Sequence, residues 1–147
     1  DPSSVQTFLV TQENAGHGVV SGSYTLTHGD DGMYQTITER TKRKRNSLQH
    51  EWRIANVPSS GTRTLRVQAH RTVSPDNDTF IMKVRVGGSW QTAITVTKTI
   101  DDNVYQEWVL PSGASGTVRI RVRDSNNSRN ASGRDVLTVD HIVIEVQ

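Results

Sequence analysis

Arg119, Arg121 and Arg123 alternate with Val118, Ile120 and Val122 over residues 117–124. A period of two is that of a β-strand, so the guanidinium groups line one face and the apolar side chains the other. The same alternation sets Lys83 and Arg85 opposite Phe80, Met82, Val84 and Val86. It also sets Gln49, Glu51 and Arg53 opposite Leu48, His50, Trp52 and Ile54. In jelly-roll order these strands, with the one around Val96, share a sheet. Its outer face would show Gln49, Glu51 and Arg53, then Arg119, Arg121 and Arg123, then Lys83 and Arg85. Such a face suits an anionic polymer, because the planar guanidinium fork pairs with carboxylates, sulfates and phosphates. The plainer reading is a solvated antiparallel face whose Arg stems cover the sheet while their heads stay wet. Three like charges on alternate positions repel without an acidic or ligand partner, which weighs towards the first.

A second set of residues is acidic. Asp30 and Asp31 occupy a Gly-Asp-Asp-Gly turn, Glu39 ends the next predicted strand, and Asp140 lies in the last one. Short carboxylates in a turn, with backbone carbonyls between them, suit a hard, oxygen-seeking cation such as Ca²⁺. First and last strands often lie together in a sandwich, which would bring the turn to Asp140. The alternative is turn chemistry alone, since Asp and Gly are what a tight turn wants. Asp76/Asp78 and Asp101/Asp102 are lesser versions of the pattern. The third set is the basic run Arg40-Thr41-Lys42-Arg43-Lys44-Arg45, a polyanion patch or a solvated loop between strands. It contains no aromatic residue for base stacking, so nucleic acid is not the expected partner.

Support for catalysis is thin. The five histidines show no metal-ligand spacing, and there is no Gly-x-Ser-x-Gly elbow or phosphate loop. Glu51 and Glu107 form a glycosidase-like carboxylate pair only in being glutamates. Among the aromatics, Trp52 shares an apolar face and belongs in the core. Trp90 and Trp108 lie near strand ends and fit either side, the core being preferred, and Tyr34 and Tyr105 are the better candidates for rings at the surface.

These side chains must be positioned by strands. The chain has 18 Val and 17 Thr against 6 Ala, a β-branched excess that disfavours helices. Alternation predicts about ten strands, at 6–10, 18–28, 34–41, 47–56, 62–71, 79–86, 90–98, 104–110, 117–124 and 136–146, with Gly-, Pro- and Asp-rich turns between them. The expected fold is all-β, an antiparallel two-sheet β-sandwich of jelly-roll type. It spans residues 1–147 as a single domain, with an N-terminal strand and lead-in over 1–17. The Asn- and Ser-rich stretch 125–134 is its one long connection, a mobile binding loop or a solvated crossover. With 147 residues the chain should bury about two-thirds of its unfolded surface, enough for a core without staples. There is no cysteine, which excludes disulfides, thiolate metal sites and thiol nucleophiles. No apolar run is long enough for a membrane helix. A start at Asp1-Pro2 suggests a mature or excised fragment. The net charge of +2 says little, but 13 of the 17 basic residues are Arg.

The segments Ser21-Gly22-Ser23-Tyr24 and Asp30-Asp31-Gly32-Met33-Tyr34, then Gln35-Thr36-Ile37-Thr38-Glu39 and His50-Glu51-Trp52, join with the Arg119–Arg123 strand and the ending Asp135-Val136-Leu137-Thr138-Val139-Asp140-His141-Ile142. From about Val20 onward this resembles the jelly-roll accessory domains, of carbohydrate-binding-module type, appended to secreted bacterial and archaeal hydrolases. The resemblance implies a non-catalytic domain of a secreted or cell-surface protein that anchors a parent catalytic domain to polysaccharide. It further implies a structural calcium near the first and last strands, with Asp31, Glu39 and Asp140 as ligands. The chain departs from that pattern in having few exposed aromatics. This directs the expectation away from flat crystalline polymers and towards a soluble, anionic chain held by Arg, Gln and Glu. Two rival readings are a protein-interaction domain of a secreted protease or surface protein, and a small polysaccharide lyase using Arg with His70 or a Tyr.

Overall fold

Where apolar and polar residues alternate most regularly, as in Gln49–Val57, Arg63–Arg71, Phe80–Val86 and Gly116–Asp124, the chain forms long strands. The structure, a computed structural model, describes residues 4–29, 31–73, 78–125 and 133–147. Thirteen strands occur among the described residues. They are β1 (Gln6–Leu9), β2 (Gln12–His17), β3 (Val19–Ser21), β4 (Gln35–Thr38), β5 (Arg40–Lys42), β6 (Arg45–Ser47), β7 (Gln49–Val57), β8 (Arg63–Arg71), β9 (Phe80–Val86), β10 (Ser89–Val96), β11 (Gln106–Val109), β12 (Gly116–Asp124) and β13 (Val136–Val146). One sheet runs β11-β8-β13-β4-β3, with β1 also paired to β13, and the other runs β10-β9-β12-β7-β2. All pairings are antiparallel, and the two sheets form a β-sandwich of the jelly-roll kind. The strand β13 is long enough to pair with β4 near its start and with β1 near its end.

The core lies between the sheets. Leu65 and Val67 of β8 and Leu137, Val139, Ile142 and Ile144 of β13 face Trp52 and Ile54 of β7, Phe80, Met82 and Val84 of β9, and Ile120 and Val122 of β12, all of them buried. Trp52 is fully buried, and its indole N–H donates to Gln35 Oε1 at 2.9 Å across the sandwich. Gln35 in turn donates to Glu13 Oε1 at 2.7 Å, and His50 Nε2 meets the same oxygen at 2.9 Å. Truncating Trp52 to Ala would open a cavity and orphan the Gln35 carbonyl. We expect Trp52→Ala to lower unfolding free energy by about 3–5 kcal/mol, measured by chemical denaturation.

Three segments differ from the sequence reading. The strand expected over 18–28 is cut to β3, because Gly22 takes φ = 81° and a 3₁₀ turn (Tyr24–Thr27) capped by Ser23 follows. Any Cβ at Gly22 would sit 2.4 Å from Leu26 Cδ1. The strand β2 has no apolar alternation to reveal it; its inward Glu13 is satisfied by the buried network just described. The basic run does not loop freely but forms the hairpin β5–β6, whose register is set by Arg40↔Ser47 and Lys42↔Arg45. Most of the connection 125–134, together with Asp30 and Asp76, lies outside the described residues.

Candidate anion-binding face and cation cluster

The sheet registers assemble the basic face in the expected order. Arg119 lies beside Arg53, Arg121 beside Glu51 and Arg123 beside Gln49, while on the other flank Arg121 lies beside Lys83. Ile120 pairs with Val84, which sets Arg85 next to Arg119. The strand β10 adds Trp90, for which the core is the preferred side in the sequence. Trp90 pairs with Arg85 and lies on this outer face, half-buried beneath arginines. The guanidinium carbon of Arg121 is 4.2 Å from the Trp90 ring centroid, that of Arg119 5.3 Å and that of Arg85 5.7 Å. Trp90 escapes the core because the β10–β9 register shifts between Thr92 and Ile94, so facing read from Ile94 and Val96 does not carry back to it.

Glu51 offsets only part of the charge. Its carboxylate is nearly buried and takes Arg53 Nε at 2.6 Å and Arg119 Nη2 at 2.9 Å. Desolvation opposes ionisation there, yet the Arg119 and Arg53 hydrogen bonds hold Glu51 below the usual carboxylate range. Both oxygens are thus committed to guanidinium groups, and Glu51 serves as counterion rather than as a reader of sugar hydroxyls. Among the described residues Lys83, Arg85, Arg121 and Arg123 have no carboxylate within 4.0 Å. Arg121 Nε is buried without an acceptor. Desolvation, and then the charges of Arg123, Arg119 and Arg85, lower the Arg121 pKa against the pull of Glu51. The other sheet is different: its outward Arg66 bonds Glu145 at 2.9 Å and lies 3.8 Å from Glu107. Four cations without a carboxylate partner thus lie together on this face, which argues against ordinary surface decoration.

The acidic residues group differently from the expectation. Glu39 is not joined by Asp31 and Asp140. Its carboxylate meets those of Asp78, before β9, and Asp124, at the end of β12, with one oxygen from each within 4.8 Å of the others. Glu39 N–H donates to Asp135 O, so Asp140 stands five residues further along β13, roughly 15 Å away at strand rise. The turn does approach Asp140, since His28 bridges His141, but Asp31 accepts the Met33 N–H at 3.0 Å as a turn residue. Asp30 lies outside the described residues. In the cluster one oxygen of each carboxylate is held: Glu39 Oε1 by Asp135 N–H at 2.7 Å, Asp78 Oδ1 by Ser125 Oγ–H at 2.9 Å, and Asp124 Oδ1 by Leu48 N–H at 3.0 Å. Glu39 Oε2 and Asp124 Oδ2 are buried without a donor. Burial pushes the Glu39 carboxyl up to about 9, against the pull of the Asp135 N–H and with the Asp78 carboxylate adding to the rise. Oxygens 4.8 Å apart or closer can share one ion at the about 2.3–2.6 Å of calcium–oxygen bonds, so these residues fit a hard cation.

The remaining candidates are not brought together. Glu51 and Glu107 face outward from opposite sheets, so no glycosidase pair forms. His70 stands on β8, edge-on to Tyr34, and does not share a face with the arginine ladder. Tyr34 and Tyr105 are partly exposed as expected, but their hydroxyls are engaged, Tyr34 with Asp101 at 2.7 Å and Tyr105 with His141 at 2.6 Å. Arg66 also covers the Tyr105 ring. Trp108 packs against the core.

No protein-family model matches the sequence, and no curated protein sequence matches it. Solved structures do resemble the fold. A family 61 carbohydrate-binding module in complex with β-1,4-galactotriose superposes with a TM-score of 0.55 at 14% identity, over 99% of this chain and 90% of that one. A family 29 module from Piromyces equi gives 0.56 at 10% identity, over 98% and 92%. A family 35 module from Clostridium thermocellum gives 0.50 at 15% identity, over 97% and 98%. At these identities the likeness establishes a fold shared with carbohydrate-binding modules.

Proposed function

We propose that the chain is a non-catalytic carbohydrate-binding module whose basic sheet face holds an anionic polysaccharide. The observation that carries this is Arg121, stacked on Trp90 beside Lys83, Arg85 and Arg123, none of the four within 4.0 Å of a carboxylate among the described residues. Cation–π contact with Trp90 offsets part of the mutual repulsion and holds the forked N–H groups ready for uronate or sulfate oxygens. The shared fold with modules solved with galactotriose and with mannohexaose supports the sugar half of the proposal. In the same proposal the module belongs to a secreted or cell-surface protein and anchors a catalytic domain to its substrate. Calcium at Glu39, Asp78 and Asp124 would tie the ends of β4 and β12 to the start of β9, as a structural ion.

Affinity electrophoresis tests the binding claim. Gels cast with polygalacturonate should retard the chain, and gels with neutral galactan or glucomannan should not. The retardation should weaken as salt is added, because screening shortens the reach of the face. Equal mobility in every gel would overturn the proposal.

A further inference from the structure

The ladder does not stop at the sheet edge. Beyond Arg123 opens a cleft of ≈ 450 Å³ lined by Arg40, Lys42, Arg43 and Arg45 of the hairpin, with His17 of β2 and Arg123 itself. None of its five Arg and Lys side chains has a carboxylate within 4.0 Å among the described residues. Arg40 Nε is buried without an acceptor. The one acid on the wall, Asp124, accepts the Leu48 N–H and has a carboxylate oxygen within 4.8 Å of those of Glu39 and Asp78.

The hairpin that carries these charges is strained and fixed. Arg43 and Lys44 form its two-residue turn with φ of 53° and 65°. Left-handed positions in such turns favour Asn-Gly, and side chains like these are held there at a cost in stability. The hairpin is nonetheless pinned. Thr41 Oγ1 donates to Asn46 Oδ1 at 2.5 Å, Arg134 Nε donates to Thr41 Oγ1 at 2.9 Å, and buried Asn46 donates to Gly133 O. Two basic residues kept at a strained, anchored tip over a cationic cleft point to a ligand rather than to a solvated loop.

We propose that this cleft is a second anion site, for a tetrahedral oxyanion ester (sulfate or phosphate) borne by the glycan whose chain lies along the ladder. The proposal rests on reading the basic face as a glycan surface and adds to it the class of substituent. A planar carboxylate is satisfied by one guanidinium fork, whereas cations converging from β5, β6 and β12 suit oxygens pointing several ways. Among the described residues no Phe, Tyr or Trp lines the cleft and the His17 imidazole is its one ring, a poor platform for successive bases, which disfavours nucleic acid phosphate as the occupant.

The test titrates the whole chain with dextran sulfate, phosphorylated mannan, polygalacturonate and a single-stranded oligonucleotide. The variants are Arg43→Asn/Lys44→Gly, which relaxes the turn, and Arg45→Gln, which leaves the turn alone. The relaxed-turn variant should melt higher than the parent yet bind the preferred ester polymer about tenfold more weakly, as expected for lost charge-assisted contacts. Arg45→Gln should lose affinity for the same polymer with no gain in melting temperature. Tighter binding of dextran sulfate or of phosphorylated mannan identifies which ester the cleft takes. Unchanged ester affinity in both variants would overturn the proposal, and so would equal losses on polygalacturonate or tightest binding of the oligonucleotide. If the parent binds the ester polymers but not polygalacturonate, and the hairpin variants lose that binding, the cleft stands and the sheet-face reading falls.

Discussion

In the absence of metal, the melting temperature should fall as pH rises from 7 to 9, and calcium should reverse the fall. The folded Glu39 carboxyl is raised from 4.5 to about 9. Between those values the folded state keeps a proton that the unfolded state has lost, so stability decreases with pH, by at most about 1.4 kcal/mol per pH unit for one group. Below the lower value both states are protonated and the penalty vanishes. Above the upper value both are ionised and the loss is complete. Asp78, Asp124 and Asp135 are the acids around Glu39; burial raises Asp124 as well, which acts in the same direction. Burial lowers His50, whose effect has the opposite sign but ends as pH passes its unfolded value of 6.5, so the window above 7 isolates the cluster. A cation competes with the proton for the carboxylate oxygens, so calcium stabilisation should grow with pH and reach about 2.7 kcal/mol at a hundredfold excess over Kd. Glu39→Gln should flatten the metal-free profile and abolish the calcium response. Calorimetric melts at pH 7 to 9, with calcium and with chelator, decide the matter. A calcium-insensitive melt at pH 9 would leave two buried acids and a half-buried one gathered for no cation, and the metal assignment would fail.

The cluster also marks where sequence reasoning ran out. Arg119, Arg121 and Arg123 declared their face because each follows a buried Val or Ile, and the neighbours of β12 followed from jelly-roll order. That same register makes Asp124 oppose Phe80, two residues after Asp78, so Asp78 and Asp124 were within reach of the argument. Glu39 stands out in the sequence, yet its partners lie not at the turn before β4 but at the other end of that strand, where its backbone pairs with Asp135. Alternation is silent about strands with no apolar period, which is why β2 and the middle of the hairpin β5–β6 look like lead-in and loop in the sequence. It also fails across a bulge, and Trp90 lies just before one. Facing is a local property of the chain, whereas ligand sets and ring stacking depend on which strand ends meet in space.

Trp90 and Arg121 should carry the largest share of glycan affinity, and separately. Arg121→Ala removes the central cation of the face. Hydrogen bonds involving a charged partner contribute about 1.5–3 kcal/mol, so the variant should bind polygalacturonate roughly tenfold to a hundredfold more weakly. The fold should be indifferent, or slightly firmer, because Arg121 is repelled by three arginines and Nε has no acceptor. Trp90→Ala leaves every charge in place and removes only the surface that holds Arg85, Arg119 and Arg121 in register. A stacking contact is worth about 0.5–1 kcal/mol at a partly exposed site, so affinity should fall by roughly twofold to fivefold for each contact that matters to the ligand. Its salt dependence should match the parent's, whereas Arg121→Ala should flatten it, because only the latter changes the number of charges. A module that gripped sugar by bare ring stacking would invert this order, with Trp90→Ala the more damaging and salt without effect. Titrations of both variants at low and high salt therefore separate a guanidinium-led face, in which the indole is a positioning residue, from an aromatic platform that happens to be surrounded by arginines.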